Sequence, residues 1–500
     1  MNLQEIASIA PSHRQLAWQR LGFYGFIHFG MNTMTNREWG EGHEDLSLFN
    51  PEKLDAREWV SLLRESGMQA VILTCKHHDG FCLWPSEYSA HTVANTPWRG
   101  GRGDLVKEVS DACREYGLKF GVYLSPWDRT ESSYGEGKAY DDFYVSQLTE
   151  LLRNYGEIGC VWLDGANGEG PSGKKQSYDW DRYYKVVRRC QPGCVISVCG
   201  PDIRWVGNEA GHTRVEEWSV VPGPLRDAEK TSEKSQQADD GQFSRSFNSM
   251  EEDLGSRRAI EAYDGEWVWY PAEVNTSIRP GWFYHAEEDD RVRSGKELFE
   301  IYLNSVGGNA TFLLNVPPNA RGEIARPDRD SLLDLGRRIA ELHDESPSAN
   351  ARLAVSSTDR LTSVEAWLDG GFAHTSRPVD ESQSNIFASD WDFWKPDTAD
   401  AAPWLELTLS GETKVNAVVL REHIRLGQRI EAFEIWSESE EAAGFPADTK
   451  SWNRVASGTI VGYQRIVRLN RPVSGTIRII FKAYRGFMTL AHVRPAHIRD

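Results

Sequence analysis

Eight apolar runs of strand length begin near Phe23, Ala70, Phe120, Cys160, Val195, Val215, Val268 and Phe312, and amphipathic segments separate several of them. This repeat limits the fold more than any other feature of the chain, because strands alternating with helices imply βαβ units and a parallel sheet. The segments 55–66 and 104–116 open on Asp55 and Asp104, residue types suited to capping a helix N-terminus. Segments 140–155, 178–190 and 294–306 continue the alternation. Eight such units predict an α/β fold of the TIM type, a (β/α)8 barrel, enlarged beyond the usual ~250 residues by insertions. The sixth strand, expected within 214–220, has the faintest pattern.

A helix expected over 328–343 leads into Glu345-Ser346-Pro347-Ser348, which has linker composition. The boundary is placed there, giving a barrel over 1–346 and a second domain over 347–500. Beyond it, short alternating runs at 404–409, 415–420, 430–436, 452–460 and 477–481 predict a C-terminal antiparallel β-sandwich. Of the two roles open to it, carbohydrate binding and packing, packing is the expectation, since no aromatic platform is legible in it. The polar stretch 222–253 lacks apolar periodicity and reads as a mobile loop on the barrel rim.

The 500 residues carry a formal net charge of -18. Nucleic acid or an anionic membrane would favour a basic face, so neither is the expected partner. All seven cysteines (75, 82, 113, 160, 190, 194 and 199) fall in the first 200 residues, several inside apolar runs. They read as reduced core thiols rather than a disulfide framework. The amino terminus has no signal-like apolar stretch and no apolar run reaches 18 residues, so the expectation is a soluble cytoplasmic protein. Oligomeric state is not legible.

Catalytic groups of parallel barrels sit at the carboxyl ends of the strands. The run Val161-Trp162-Leu163-Asp164 ends there in a carboxylate and a glycine-rich turn. Asp164 could serve as nucleophile, metal ligand or helix cap. Glu209 follows the fifth strand and could face it across the barrel mouth, with Glu169, Glu216 and Glu217 as rivals. Two carboxylates beside aromatic residues are the minimum apparatus for cleaving a glycosidic bond. His28, His77 and His78 lie at two other strand ends, where neutral imidazole can both donate to and accept from hydroxyl groups. The competing reading is core histidines satisfied by backbone. No His-x-His or His-Glu-x-x-His spacing is present, so no metal is expected, and the absence of nucleotide-binding glycine motifs gives no reason to expect any other cofactor.

Phe26-Ile27-His28-Phe29-Gly30, Glu38-Trp39-Gly40, Lys76-His77-His78-Asp79-Gly80-Phe81, Trp162-Leu163-Asp164-Gly165 and Thr311-Phe312-Leu313-Leu314-Asn315-Val316 together resemble the α-L-fucosidases of glycoside hydrolase family 29. The resemblance implies that Asp164 is the nucleophile of a retaining double displacement. It implies that His28, Glu38, Trp39, His77, His78, Tyr123 and Trp162 hold the fucose hydroxyls and ring, with Trp282 beside the C5 methyl. Trp205-Val206-Gly207-Asn208-Glu209 is similar to the branch that prefers α-1,3 and α-1,4 linkages, which makes Glu209 the acid/base and a fucosylated, Lewis-type glycan the partner. Two other readings stand beside it: a non-catalytic fucose-binding barrel, and a fucosidase of broad α-1,2/1,6 or aryl-fucoside specificity.

Overall fold

The computed structural model describes residues 1–227, 253–344, 346–348, 351–361, 393–438 and 451–499. Most of the insertion expected at 222–253 lies outside them. In chain order the first ten strands are β1 (Phe23–Ile27), β2 (Ala70–Lys76), β3 (Lys119–Leu124), β4 (Cys160–Leu163), β5 (Val195–Val198), β6 (Arg204–Trp205), β7 (Val220–Pro222), β8 (Trp267–Trp269), β9 (Ala272–Ser277) and β10 (Thr311–Asn315). Eight of them form one sheet in the order β5-β4-β3-β2-β1-β10-β9-β6, and every pair in it is parallel. An isolated parallel bridge between Ser197 and Ile203 brings the two ends of the sheet together. The expected barrel is thus present and nearly closed.

Its helices begin where the sequence provides caps. The Asp55 side chain accepts from the Arg57 and Glu58 amides, and Asp104 accepts from Lys107. Ser294 and Glu297 form a reciprocal capping box ahead of Gly295–Ser305. Helices Ala56–Glu65, Leu105–Tyr116, Trp180–Cys190 and Arg326–Leu342 turn their apolar faces to the outer side of the barrel, where Ile27, Leu73, Val122, Val161 and Leu314 meet them in the main core.

Two strands differ from expectation. The sixth barrel strand is the two-residue β6, paired with Ala272 and Glu273, rather than a segment near Val215. A strand this short is beyond any periodicity reading, and its Arg204 tolerates burial because Glu217 pairs with it and the Tyr270 and Trp218 carbonyls accept from it. The run near Val268 is β8, which pairs antiparallel with β7 outside the barrel. The barrel strand proper starts at Ala272, just after Pro271, whose missing N–H interrupts the ladder.

Carboxy-terminal to the barrel, two antiparallel sheets share one apolar core. Arg352–Val355, Trp404–Thr408, Thr476–Tyr484, Ile430–Glu438 and Trp452–Gly458 form one in that spatial order, and Arg465–Val473, Val415–Arg421 and His492–Ala496 form the other. Leu405, Ile435, Ile479, Val418 and Val467 meet between them. The seven cysteines are all free, and six are buried. Among the described residues no helix is long and apolar enough to cross a membrane.

Candidate active site

Side chains alternate across a strand, so residues two apart share a face. On β4, Cys160 and Trp162 point into the barrel, and the same parity carries Asp164 to its mouth. On β1, Tyr24 and Phe26 lead likewise to His28. On β9, Glu273 leads to Asn275. A cavity of about 790 Å³, its open mouth included, lies at this rim. His28, Trp39, His77, His78, Trp162, Asp164, Glu209 and Trp282 line it, together with Phe26, Trp205 and Asn275.

Asp164 is held at both oxygens. Oδ2 accepts from the Tyr123 hydroxyl at 2.9 Å and Oδ1 accepts from the Ala166 amide at 2.7 Å. His78 Nε2 lies 3.8 Å from Oδ2. The Ser125 hydroxyl donates to the Trp127 carbonyl, so it must accept from His78 Nδ1–H at 2.7 Å, which leaves Nε2 as an acceptor. His28 has the same arrangement. Asn315 spends its amide N–H groups on Ser277 Oγ and the Trp282 carbonyl, so Oδ1 accepts from His28 Nδ1–H at 2.8 Å. His77 is the reverse: the Asn32 amide donates to the Glu38 carbonyl and to His77 Nδ1, leaving His77 Nε2–H as donor.

Burial drives all three imidazoles towards the neutral form. It lowers His28 to about 3 and His77 well below its ordinary value. It also brings His78 down to about 4, even against the upward pull of Asp164. The cavity therefore offers two neutral acceptors, one neutral donor and the carboxyl groups of Asp164 and Glu209 among aromatic rings. Trp282 stands 5.2 Å from the His28 ring, and Trp127 backs His78 at 4.8 Å. Trp39 is 41% exposed, which puts it at the lip.

Glu209 sits on the loop after β6. Asn208 holds that loop by accepting from the Ala210 and His212 amides, and Thr276 Oγ1 donates to the Glu209 carbonyl at 2.6 Å. Below it, Glu217 is fully buried. Burial alone would raise its carboxyl, but the guanidinium groups of Arg204 and Arg214 hold it below the ordinary range. Glu217 is thus a brace for the loop, and neither it, Glu169 nor Glu216 lines the cavity.

Two further expected residues are not in the lining. Tyr123 is fully buried and reaches the site only through its hydroxyl on Asp164. The Glu38 carboxylate accepts from the Trp282 and Phe283 amides and from His285 Nε2, an ion pair whose hydrogen bond raises His285. Glu38 thereby fixes the segment that presents Trp282. Trp205, Asn275, Asn315, Ser125 and Glu273 were not anticipated from sequence. The strand parity that carries His28 and Asp164 to the rim also points to Asn275 and Asn315, and Trp205 and Asn315 stand in the segments that resemble the family.

A parallel barrel with carboxylates and neutral imidazoles in an aromatic cup at its carboxyl rim has the build of a sugar-processing barrel enzyme. The family model for α-L-fucosidase matches residues 28–341. Alpha-L-fucosidase 1 of Arabidopsis thaliana is 38% identical over 94% of this chain and 84% of its own length. A putative α-L-fucosidase from Bacteroides ovatus superposes with a TM-score of 0.81 at 38% identity, covering 100% of this chain and 77% of that one. A Ruminococcus gnavus family 29 fucosidase solved in complex with fucose superposes with a TM-score of 0.77 at 26% identity, over 99% of this chain and 96% of that one. The chain belongs to the α-L-fucosidase family of glycoside hydrolases.

Proposed function

We propose that this chain is a retaining exo-α-L-fucosidase that releases α-1,3- or α-1,4-linked fucose from branched, Lewis-type glycans. The observation that carries the reading is the meeting of Asp164 and Glu209 in one aromatic cavity with three neutral histidines. In the first step an Asp164 oxygen attacks the anomeric carbon as the glycosidic C–O bond breaks, and Glu209 gives its proton to the departing oxygen. In the second, Glu209 takes a proton from water, whose oxygen displaces Asp164 from the covalent fucosyl ester. Tyr123 and the Ala166 amide keep the nucleophile aimed, and retention calls for carboxylates about 5–5.5 Å apart.

His28 and His78 accept from fucose hydroxyls and His77 donates to one, which suits a ring with several hydroxyls on a single edge. Trp162 and Trp282 offer apolar surface to the opposite edge and the C5 methyl. Trp39, exposed at the lip, and Trp205, at the end of β6 before the Glu209 loop, suit the sugars that bear the fucose. The linkage preference rests on the likeness of the loop 205–209 to the branch acting on such glycans. We assign the barrel, 1–346, as the catalytic unit and 347–500 as a packing companion. Buried and half-buried hydrogen bonds support that assignment: the Ser219 amide donates to Gln428 Oε1, the Tyr463 amide to Asn309 Oδ1 and the Arg494 guanidinium to the Leu342 carbonyl.

The test is proton NMR of Lewis a trisaccharide during the first minutes of incubation. Early α-fucose from the wild type and none from Asp164→Ala is the expected result. Early β-fucose would refute retention, and no release by the wild type would favour another linkage or a binding role.

A further inference from the structure

Beneath the cavity lies a carboxylate that the mechanism does not use. Glu273 on β9 is wholly inaccessible, and both of its oxygens are committed. Oε1 accepts from the Trp162 indole N–H at 2.8 Å, while Oε2 accepts from the Tyr24 hydroxyl at 2.5 Å and from Ser197 Oγ at 3.3 Å. Tyr24 also meets Thr311 Oγ1 at 2.9 Å. Glu273 thus ties β9 to β1, β4 and β5 inside the barrel, and Tyr24 extends the network to β10.

Its partners are a phenol, an indole and an alcohol, so the cost of burying a carboxyl group is offset by hydrogen bonds and not by a cation. Burial accordingly pushes it up to about 7. An apolar residue would fill the space at less cost, whereas a satisfied polar network selects one arrangement of its members. An indole has a single donor, so the partner of that donor fixes the ring's orientation. The Trp162 ring packs at 5.2 Å and 88° against Tyr123, whose hydroxyl holds Asp164.

We propose that Glu273 is a positioning residue for the reaction, setting the pose of Trp162 on the cavity floor and, through Tyr123, the aim of Asp164. It acts from behind the site and touches no substrate. The inference rests on the cavity being the fucose site.

The experiment is a double-mutant cycle on an α-L-fucoside, with kcat and KM measured for Glu273→Leu, Glu273→Gln, Trp162→Phe and both pairs, beside their melting curves. Glu273→Leu is expected to lower kcat/KM by about 10- to 100-fold, the loss of a charged or strongly polarised hydrogen bond. Glu273→Gln, shaped like the protonated acid, should recover most of that. In the Trp162→Phe background, which lacks the indole donor, Glu273→Leu should cost about threefold or less. Equal losses in both backgrounds would overturn the inference alone. A Trp162→Phe enzyme indistinguishable from wild type would sink the cavity reading and the inference together. If Glu273→Leu does not fold, Glu273→Asp in the same two backgrounds must show the same coupling.

Discussion

Gly281 is the residue through which the Trp282 segment can be moved without touching a catalytic group. A Cβ built there would lie 2.5 Å from Glu38 Oε1 and 2.9 Å from Glu38 Cδ. Non-bonded atoms normally settle about 3.5–4.0 Å apart, so Gly281→Ala forces the carboxylate away. Backbone strain is not the cause, because Gly281 is not among the positive-φ glycines. The displaced oxygen is the one accepting from Phe283 N at 3.0 Å and from His285 Nε2 at 2.7 Å, while its twin holds Trp282 N at 2.8 Å. Losing one hydrogen bond to a charged group costs about 1.5–3 kcal/mol. If that loss reaches transition-state binding through Trp282, kcat/KM falls by roughly 10- to 150-fold. The assay is steady-state hydrolysis of an α-L-fucoside beside thermal unfolding, with Gly193→Ala as control because nothing lies within 4 Å of a Cβ there. A Gly281→Ala enzyme within twofold of wild type would refute both the contact and the role given to Trp282. In a Glu38→Ala background the same substitution should cost far less, since the obstacle is gone.

Loss of the acid should depend on the leaving group. Glu209→Ala is expected to slow natural glycans by about 100- to 10,000-fold and aryl fucosides with good leaving groups much less, and equal loss on both in initial-rate assays would point to a different acid. The neutral histidines predict a stability term with a definite sign. His78 titrates near 4 in the folded chain against an ordinary 6.5, so its contribution is complete above 6.5 and is lost as pH falls towards 4. By pH 5 that amounts to roughly 2 kcal/mol, and denaturant unfolding of His78→Asn should show a correspondingly shallower acid decline than wild type. Parallel decline of the two proteins would remove His78 as a source of the effect.

Much of this was legible in the chain. The repeat of apolar runs and capped amphipathic segments specifies a parallel barrel because burial and helix start signals are local properties, and Asp55 and Asp104 stand at the N-caps their positions implied. The ends of β1, β2 and β4 advertised His28, His77, His78 and Asp164 for the same reason. The sixth strand was not legible, since two residues carry no period and Arg204 gives no apolar signal. The run at β8 was as apolar as a barrel strand, and only its pairing with β7 tells it apart.

Roles within the site divide along the same line. Residue types and strand parity determine that a carboxylate and imidazoles reach the rim. Which imidazole nitrogen faces the cavity is decided by Ser125, Asn315 and Asn32, partners that lie 47, 287 and 45 residues away. That Glu38 steadies a loop, that Glu217 braces another, and that Glu273 sits under Trp162 are likewise facts of packing. Hydrogen bonding and desolvation depend on distances in space, and closing the barrel brings together strands that the sequence keeps hundreds of residues apart.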